Sequence, residues 1–282
     1  MSVSNKLIVT CALNGAGTTK AQTPHVPVTP EEIAADVVAA AKARAAIVHI
    51  HIRDEAGANT MDPEVFVKVV GMAREAVAKA GLDVVFNLTT SGSKFSEEWR
   101  VAHLPLLKPE MCSYDPGSMN WANSYVFLNP PSFLEKLGEV SQELEIKPEC
   151  EIFDGGMIGN VNHYLKKGAL KAPLHYQFVL GVPGGMPGNI DSLAYLLPKI
   201  QEGSTWSITG IGRSSLPMML AGLAAGCDGI RVGLEDNIFL SKGVPATNVQ
   251  LVEQAAALAK AAGREIATAA EAREILGLKK HV

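Results

Sequence analysis

The chain has 282 residues, 47% of them hydrophobic and 19% charged, enough for one large domain with a well-developed core. A formal net charge of -4 leaves no basic footprint for nucleic acid or an anionic membrane. No stretch of about 18 apolar residues could span a bilayer, and the opening MSVSNKLIVTCALNGAG lacks the apolar run of a signal peptide, so a cytoplasmic protein is expected.

Short β-rich runs alternate with longer helical ones. LIVTCAL (7–13) reads as a first strand, followed by a helix from Thr29 to Arg44. Thr29 suits the N-cap, Pro30 the first helical position, and Glu31 and Glu32 the positive helix end. AIVHIHI (46–52) leads to a helix capped by Asp62 and stopped at Gly81. DVVFNLTT (83–90) precedes a short helix near 96–103, and EMCSYD (110–115) makes a fourth strand. An irregular segment through Trp121 comes before a helix near 131–144. The alternation continues with KPECEIFD (147–154) and a helix near 155–167, then PLHYQFVLG (173–181) and a helix at 190–201. TWSIT (205–209) and CDGIRVG (227–233) are followed by helices at 214–225 and 248–262, and a last short helix lies near 269–276. Eight strand–helix units without a linker-like break predict a single-domain α/β fold, a (β/α)8 TIM barrel with a C-terminal helical extension. A doubly wound sheet is the alternative, but NGAGTTK only loosely matches its G-x-G-x-x-G phosphate loop. The cysteines (Cys11, Cys112, Cys150, Cys227) lie in or beside strands with neither metal-ligand nor disulfide spacing, which predicts buried, reduced thiols.

In a barrel, chemistry gathers at the C-terminal strand ends. Strand alternation points His49 and His51 to the same side of strand two, into the barrel mouth. Two imidazoles at i and i+2 on a rigid strand can chelate one divalent metal, zinc being the commonest fit, or they can be core histidines satisfied by backbone groups. A three-ligand site needs a carboxylate, and IRVGLEDN at the exit of strand eight supplies Glu235. Strands eight, one and two are neighbours on a closed barrel, so Glu235 can reach the histidines. Arg231 and Asp236 are then free to pair beside it, as a salt bridge or as catalytic groups.

Together VHIHIRD, RVGLEDN, PVTPEEIA, NLTTSG, PEMCSYDPGSMN and GREIATAAEAREILGL resemble the β-keto acid cleavage enzyme family along essentially the whole chain. The resemblance implies a zinc-dependent (β/α)8 barrel, usually homotetrameric. Such enzymes take a β-keto acid, 3-keto-5-aminohexanoate among them, and acetyl-CoA, and yield acetoacetate and a new CoA thioester. It implies His49, His51 and Glu235 as metal ligands and Arg231 with Asp236 as the proton-handling dyad. Ser91 with the Gly92 amide would hold the substrate carboxylate, aided by Ser113, with Thr89 in the same loop either lining that site or forming a polar turn. Two glycine-rich stretches, GVPGGMPG and TGIGRSSLP, read as turns or as a phosphate cradle. Within the resemblance Gly210, Gly212, Arg213 and Ser214 are the candidates for the acetyl-CoA contact. The strand-one loop carries Asn14 where an amino-bearing substrate would favour an acid. An amide cannot neutralise an ammonium, so a different β-keto acid is expected. A metal-dependent hydrolase on the same fold is the competing expectation, but strand one has Cys11 and Asn14 where that class typically carries its His pair.

Overall fold

The protein is described from a computed structural model over residues 5–280. Eight strands close into a barrel: β1 (Ile8–Ala12), β2 (Ile47–Ile50), β3 (Val85–Leu88), β4 (Met111–Tyr114), β5 (Lys147–Ile152), β6 (His175–Leu180), β7 (Thr205–Gly210) and β8 (Gly229–Val232). Each pairs in parallel with the next, and β8 closes on β1 with Arg231 opposite Thr10. The outer ring holds α1 (Pro30–Lys42), α2 (Pro63–Lys79), the short α3 (Glu97–Val101) and α4 (His103–Leu107), α5 (Pro131–Glu143), α6 (Gly155–Lys167), α7 (Ile190–Leu196), α8 (Ser215–Ala225) and α9 (Asn248–Ala261). Thr29 and Glu32 form a reciprocal capping box at the start of α1, and Asp62 caps α2, so both sequence-predicted starts form as expected.

The strands divide their side chains between two environments. Outward positions such as Val9, Val48, Phe86, Cys112, Cys150 and Phe178 pack under the helices in one large apolar core, and all four cysteines are free and buried. Inward positions at the N-terminal end of the barrel, Ile8, Ile47, Val85 and Met111, meet Ala269, Ala272 and Leu276 of α10 (Ala269–Leu276), which closes the barrel floor. The Arg273 guanidinium on α10 fixes this plug to Asp83 and Glu110. Toward the C-terminal end the inward residues turn polar, and there the candidate site residues collect.

Three local features depart from the sequence expectation. The helix predicted near 96–103 is two short helices, α3 and α4. The irregular segment through Trp121 forms a hairpin, Met119–Trp121 with Tyr125–Phe127, whose Trp121 ring packs edge-on against Phe127 and Phe153. Strand β2 stops at Ile50 because the Asn14 side chain occupies the His51 backbone: its carbonyl accepts from His51 N at 3.2 Å and its amide donates to His51 O at 3.0 Å. A side-chain amide thus takes the place of a neighbouring strand.

Leu276 is 2% exposed and tops the barrel floor. Leu276→Ala should lower the unfolding free energy by about 2–5 kcal/mol, read as a shift of the denaturant midpoint, because the surrounding strands cannot collapse into the void. An unchanged midpoint would show that α10 is not part of the core.

Candidate active site

His49 on β2 and His51 just beyond it turn their Nε2 atoms toward one carboxylate. Glu235 Oε2 lies 3.7 Å from His49 Nε2, and Glu235 Oε1 lies 3.3 Å from His51 Nε2. One ligand atom from each of the three falls within 4.8 Å of the others, and Glu235 Oε2 has no hydrogen-bond partner. Burial pulls the His49 imidazole down to about 3, which leaves it neutral, the form in which a histidine ligates a metal. Burial opposes ionisation of Glu235, yet Arg231 and a hydrogen bond with His51 hold its carboxyl well below the usual range. Two imidazoles and an ionised carboxylate, with one oxygen free of hydrogen bonds, form a donor set that fits a divalent cation.

Beside them Arg231 is the hub of the site. Its Nε and Nη2 donate to Asp236 Oδ2 and Oδ1 at 2.9 and 3.0 Å, so the sequence-predicted pair forms as a bidentate fork. Nη2 also lies 2.9 Å from Glu235 Oε1, and Nη1 donates to Glu151 Oε1 at 3.2 Å. Thr209 of β7 adds a hydroxyl donor to Asp236 Oδ2 at 3.3 Å. Burial pushes the Asp236 carboxyl up against the pull of Arg231.

Sequence reasoning passed over the floor of this site. Glu149 and Glu151, at alternate positions of β5, face inward by the same i, i+2 spacing that marks His49 and His51, so the signal was present in KPECEIFD. Glu149 accepts from Asn87 Nδ2 at 2.6 Å, its Oε1 has no partner, and burial pushes it up to about 7. Burial likewise raises Glu151 well above its ordinary value, against Arg231. His49, Glu149 and Glu151 also lie close enough to share a cation. Asp115, just after β4, is the fifth carboxylate of this site and receives the Ser91 hydroxyl at 2.6 Å.

The remaining expected residues sort into two groups. Ser91 is half-buried at the end of β3, and Gly92 follows it where a Cβ would collide with the Met61 side chain. Thr89 accepts the Ser91 amide within its own loop at 3.0 Å, and Ser113 accepts the Thr90 amide at 2.9 Å, joining the end of β3 to β4. The Asn14 side chain is fully buried and engaged with His51 and, at 3.1 Å, with Pro27 O, so it braces the backbone. The two glycine-rich stretches do meet, around a cleft of about 490 Å³ lined by Gly181, Pro187, Asn189, Ile211, Arg213 and Ser214. Their glycines serve packing. A Cβ on Gly184 would strike Asn120 O, one on Gly188 would strike Ser214, and one on Gly210 would strike Ser214 O. The Gly212 amide is taken by Asp236 O at 2.8 Å, so Arg213 and Ser214 are left to offer contacts to a ligand.

Of the other histidines, His175 reaches the edge of this cluster, its Nε2 3.8 Å from Glu149 Oε1, and His103 lies apart from it. His103 stacks on Phe66 in the helical layer, and His175, at the start of β6, bonds Thr205 and Ser207. The multi-histidine centre of a hydrolase is therefore not assembled among the described residues.

Comparison with known proteins agrees with the geometry. The apo structure of ObcA superposes with a TM-score of 0.80 at 21% identity, over 92% of this chain and 66% of that one, a likeness of fold. The 3-keto-5-aminohexanoate cleavage enzyme of Fusobacterium nucleatum subsp. nucleatum is 40% identical over 276 residues, 98% of this chain and 99% of that protein. The 3-dehydrocarnitine:acetyl-CoA trimethylamine transferase of Rhizobium meliloti is 35% identical, covering 99% of each. The 3-oxoadipate:acetyl-CoA acetyltransferase of Cupriavidus necator is 34% identical, over 96% of this chain and 94% of that protein. With a family model for beta-keto acid cleavage enzymes matching residues 6–278, a barrel whose strand ends hold two imidazoles, a carboxylate and an Arg–Asp fork belongs to the β-keto acid cleavage enzyme family.

Proposed function

We propose that this protein converts a β-keto acid and acetyl-CoA into acetoacetate and a new acyl-CoA, at a divalent metal, zinc by donor chemistry, held by His49, His51 and Glu235. The observation that carries the reading is the convergence of those three donors beside the Arg231–Asp236 fork. The names of relatives that use acetyl-CoA with oxo acids of very different tails support the cosubstrate and leave the tail open. When bound, the metal would polarise the substrate ketone and stabilise the negative charge that develops on its oxygen.

The chain's own residues supply the rest. Asp236 takes the proton from the carbon acid, and Arg231 holds its carboxylate in one orientation while balancing the charge. Ser91 and the Gly92 amide bind the substrate carboxylate. Asp115, which burial raises, donates to Ser91 when protonated and turns the serine proton toward the substrate. The acetyl-CoA phosphates lie along the cleft at Arg213 and Ser214, and the link from the Gly212 amide to Asp236 O joins that cleft to the base. No helix among the described residues is long and apolar enough to cross a membrane. We place the enzyme in the cytoplasm as a homotetramer. Exposed Ile190, Tyr195, Leu216 and Leu220 on α7 and α8 supply apolar surface for such an assembly, and sedimentation tests it.

Three experiments test the reading. The purified protein should hold about one divalent metal per chain and the His49→Ala, His51→Ala double variant almost none. Full occupancy in the variant would remove these ligands from the assignment. Asp236→Asn, which deletes the base at nearly constant volume, should lower kcat about 100- to 10,000-fold with metal content and fold unchanged. Near wild-type turnover would reduce the fork to a salt bridge. Finally, short β-keto acids should be inert with protein and zinc alone and yield acetoacetate plus a second thioester once acetyl-CoA is added. Isotope labelling should place one two-carbon unit of that acetoacetate in acetyl-CoA and the other in the keto acid. Cleavage that proceeds equally well without CoA would overturn the condensation.

A further inference from the structure

Arg53 has no role in the chemistry above, yet only 5% of its surface is exposed. Burying a guanidinium costs several kcal/mol unless its donors are well satisfied. Here Nε is buried without a partner, and every hydrogen bond the group makes, through Nη1 and Nη2, runs to a carbonyl oxygen of one loop. Nη1 donates to Ala16 O at 2.7 Å, and Nη2 to Thr18 O at 3.1 Å, to Asn14 O at 3.3 Å and to Gly15 O. The loop after β1 is gathered around this one side chain.

What the gathered loop touches gives Arg53 its significance. Asn14 grips the His51 backbone from both sides. Gly15, at φ +58°, lies so close to Glu235 that a Cβ there would stand 2.6 Å from Glu235 Cγ. Thr18 Oγ1 donates to Leu234 O at 2.9 Å, one residue before Glu235. Residues 14–18 therefore contact the segments bearing two of the three proposed ligands, one after β2 and one after β8. These segments are far apart in sequence, and the loop spans the gap between them.

We propose that Arg53 is a positioning residue for the metal centre, folding the loop at residues 14–18 so that its backbone sets the Glu235 carboxylate opposite the His51 imidazole. The proposal rests on the reading of His49, His51 and Glu235 as metal ligands. A neutral side chain of similar length cannot replace Arg53, because one planar fork must reach four carbonyls at once. Lysine can satisfy part of the set from a single nitrogen.

The test uses the full chain and Co2+ alone as probe, with affinity from chelator competition and geometry from the visible absorption of the bound ion. Arg53→Met should weaken Co2+ binding about 10- to 100-fold and alter the spectrum, with Arg53→Lys in between, as for other residues that orient metal ligands from behind. Gly15→Ala, which intrudes on Glu235 from the same side with Arg53 itself unchanged, should produce a similar change. Arg273→Met is the stability control, since it loosens the barrel floor far from the site and should leave Co2+ affinity at the wild-type value. Wild-type affinity and spectrum in folded Arg53→Met overturn the positioning role, as does an equal loss in Arg273→Met. Should Arg53→Met fail to fold, Arg53→Lys and Gly15→Ala decide by the same readout. Wild-type protein that takes up no Co2+ overturns the metal reading and this proposal with it, whereas uptake unchanged in every variant overturns this proposal alone.

Discussion

One guanidinium among buried carboxylates governs the barrel interior. Arg231 faces Asp236, Glu235 and Glu151 directly, and Glu149 and Asp115 lie nearby with an oxygen each unpartnered. Removing one partner from such a buried network costs about 3–5 kcal/mol, while well-packed hydrophobic residues in its place are often neutral or better. A barrel selected for stability alone would not assemble it. Burial raises Glu149, Glu151 and Asp236, and the neighbouring carboxylates add to it, while Arg231 holds Glu235 low. The excess of acids over cations explains why a divalent cation suits this place, since it adds the positive charge that one arginine cannot supply.

The surrounding backbone is built to hold that charge in register. Asn248, at the start of α9, accepts from Leu234 N and donates to Leu13 O, so the turn carrying Glu235 hangs between β1 and a helix end. Arg100 performs a similar task across the mouth. It donates to Thr90 O, Leu128 O and Asn129 Oδ1, with its guanidinium over the Phe133 ring, and so ties the Ser91 loop to the far side of the hairpin. Both residues are polar, buried and bonded to backbone atoms as well as to a side chain, the pattern of a preorganised site on a rigid scaffold.

Much of this was legible in the sequence because it follows from periodicity. Strand–helix alternation gave the barrel, Thr29 and Asp62 gave helix starts, and the His49/His51 alternation pointed to a shared inward site with Glu235 within reach of it. What escaped shares a different physical origin. The role of Asn14 depends on a backbone 37 residues away, which no local pattern encodes. The glycines of GVPGGMPG look like a phosphate loop, but three-dimensional close approach explains Gly184 and Gly188 at once. Glu149 and Glu151 are another case. Their spacing was as clear as that of the histidines, but acids in a lysine- and proline-containing strand read as solvent-facing until the barrel places them inside.

The barrel floor carries a consequence for how the chain acquires its shape. Leu7 pairs with Glu265 and Ala267 through its backbone, β1 needs β8 for its second neighbour, and α10 covers the opening last. The contacts that seal the structure join residues far apart in the sequence, 163 positions for Arg273 with Glu110 and more for Leu7 with Glu265, so their loop-closure entropy is met late in synthesis. During synthesis the growing polypeptide is an open, curling sheet with Ile8, Ile47, Val85 and Met111 uncovered, an aggregation-prone edge that a folding helper would have to shield until α10 arrives.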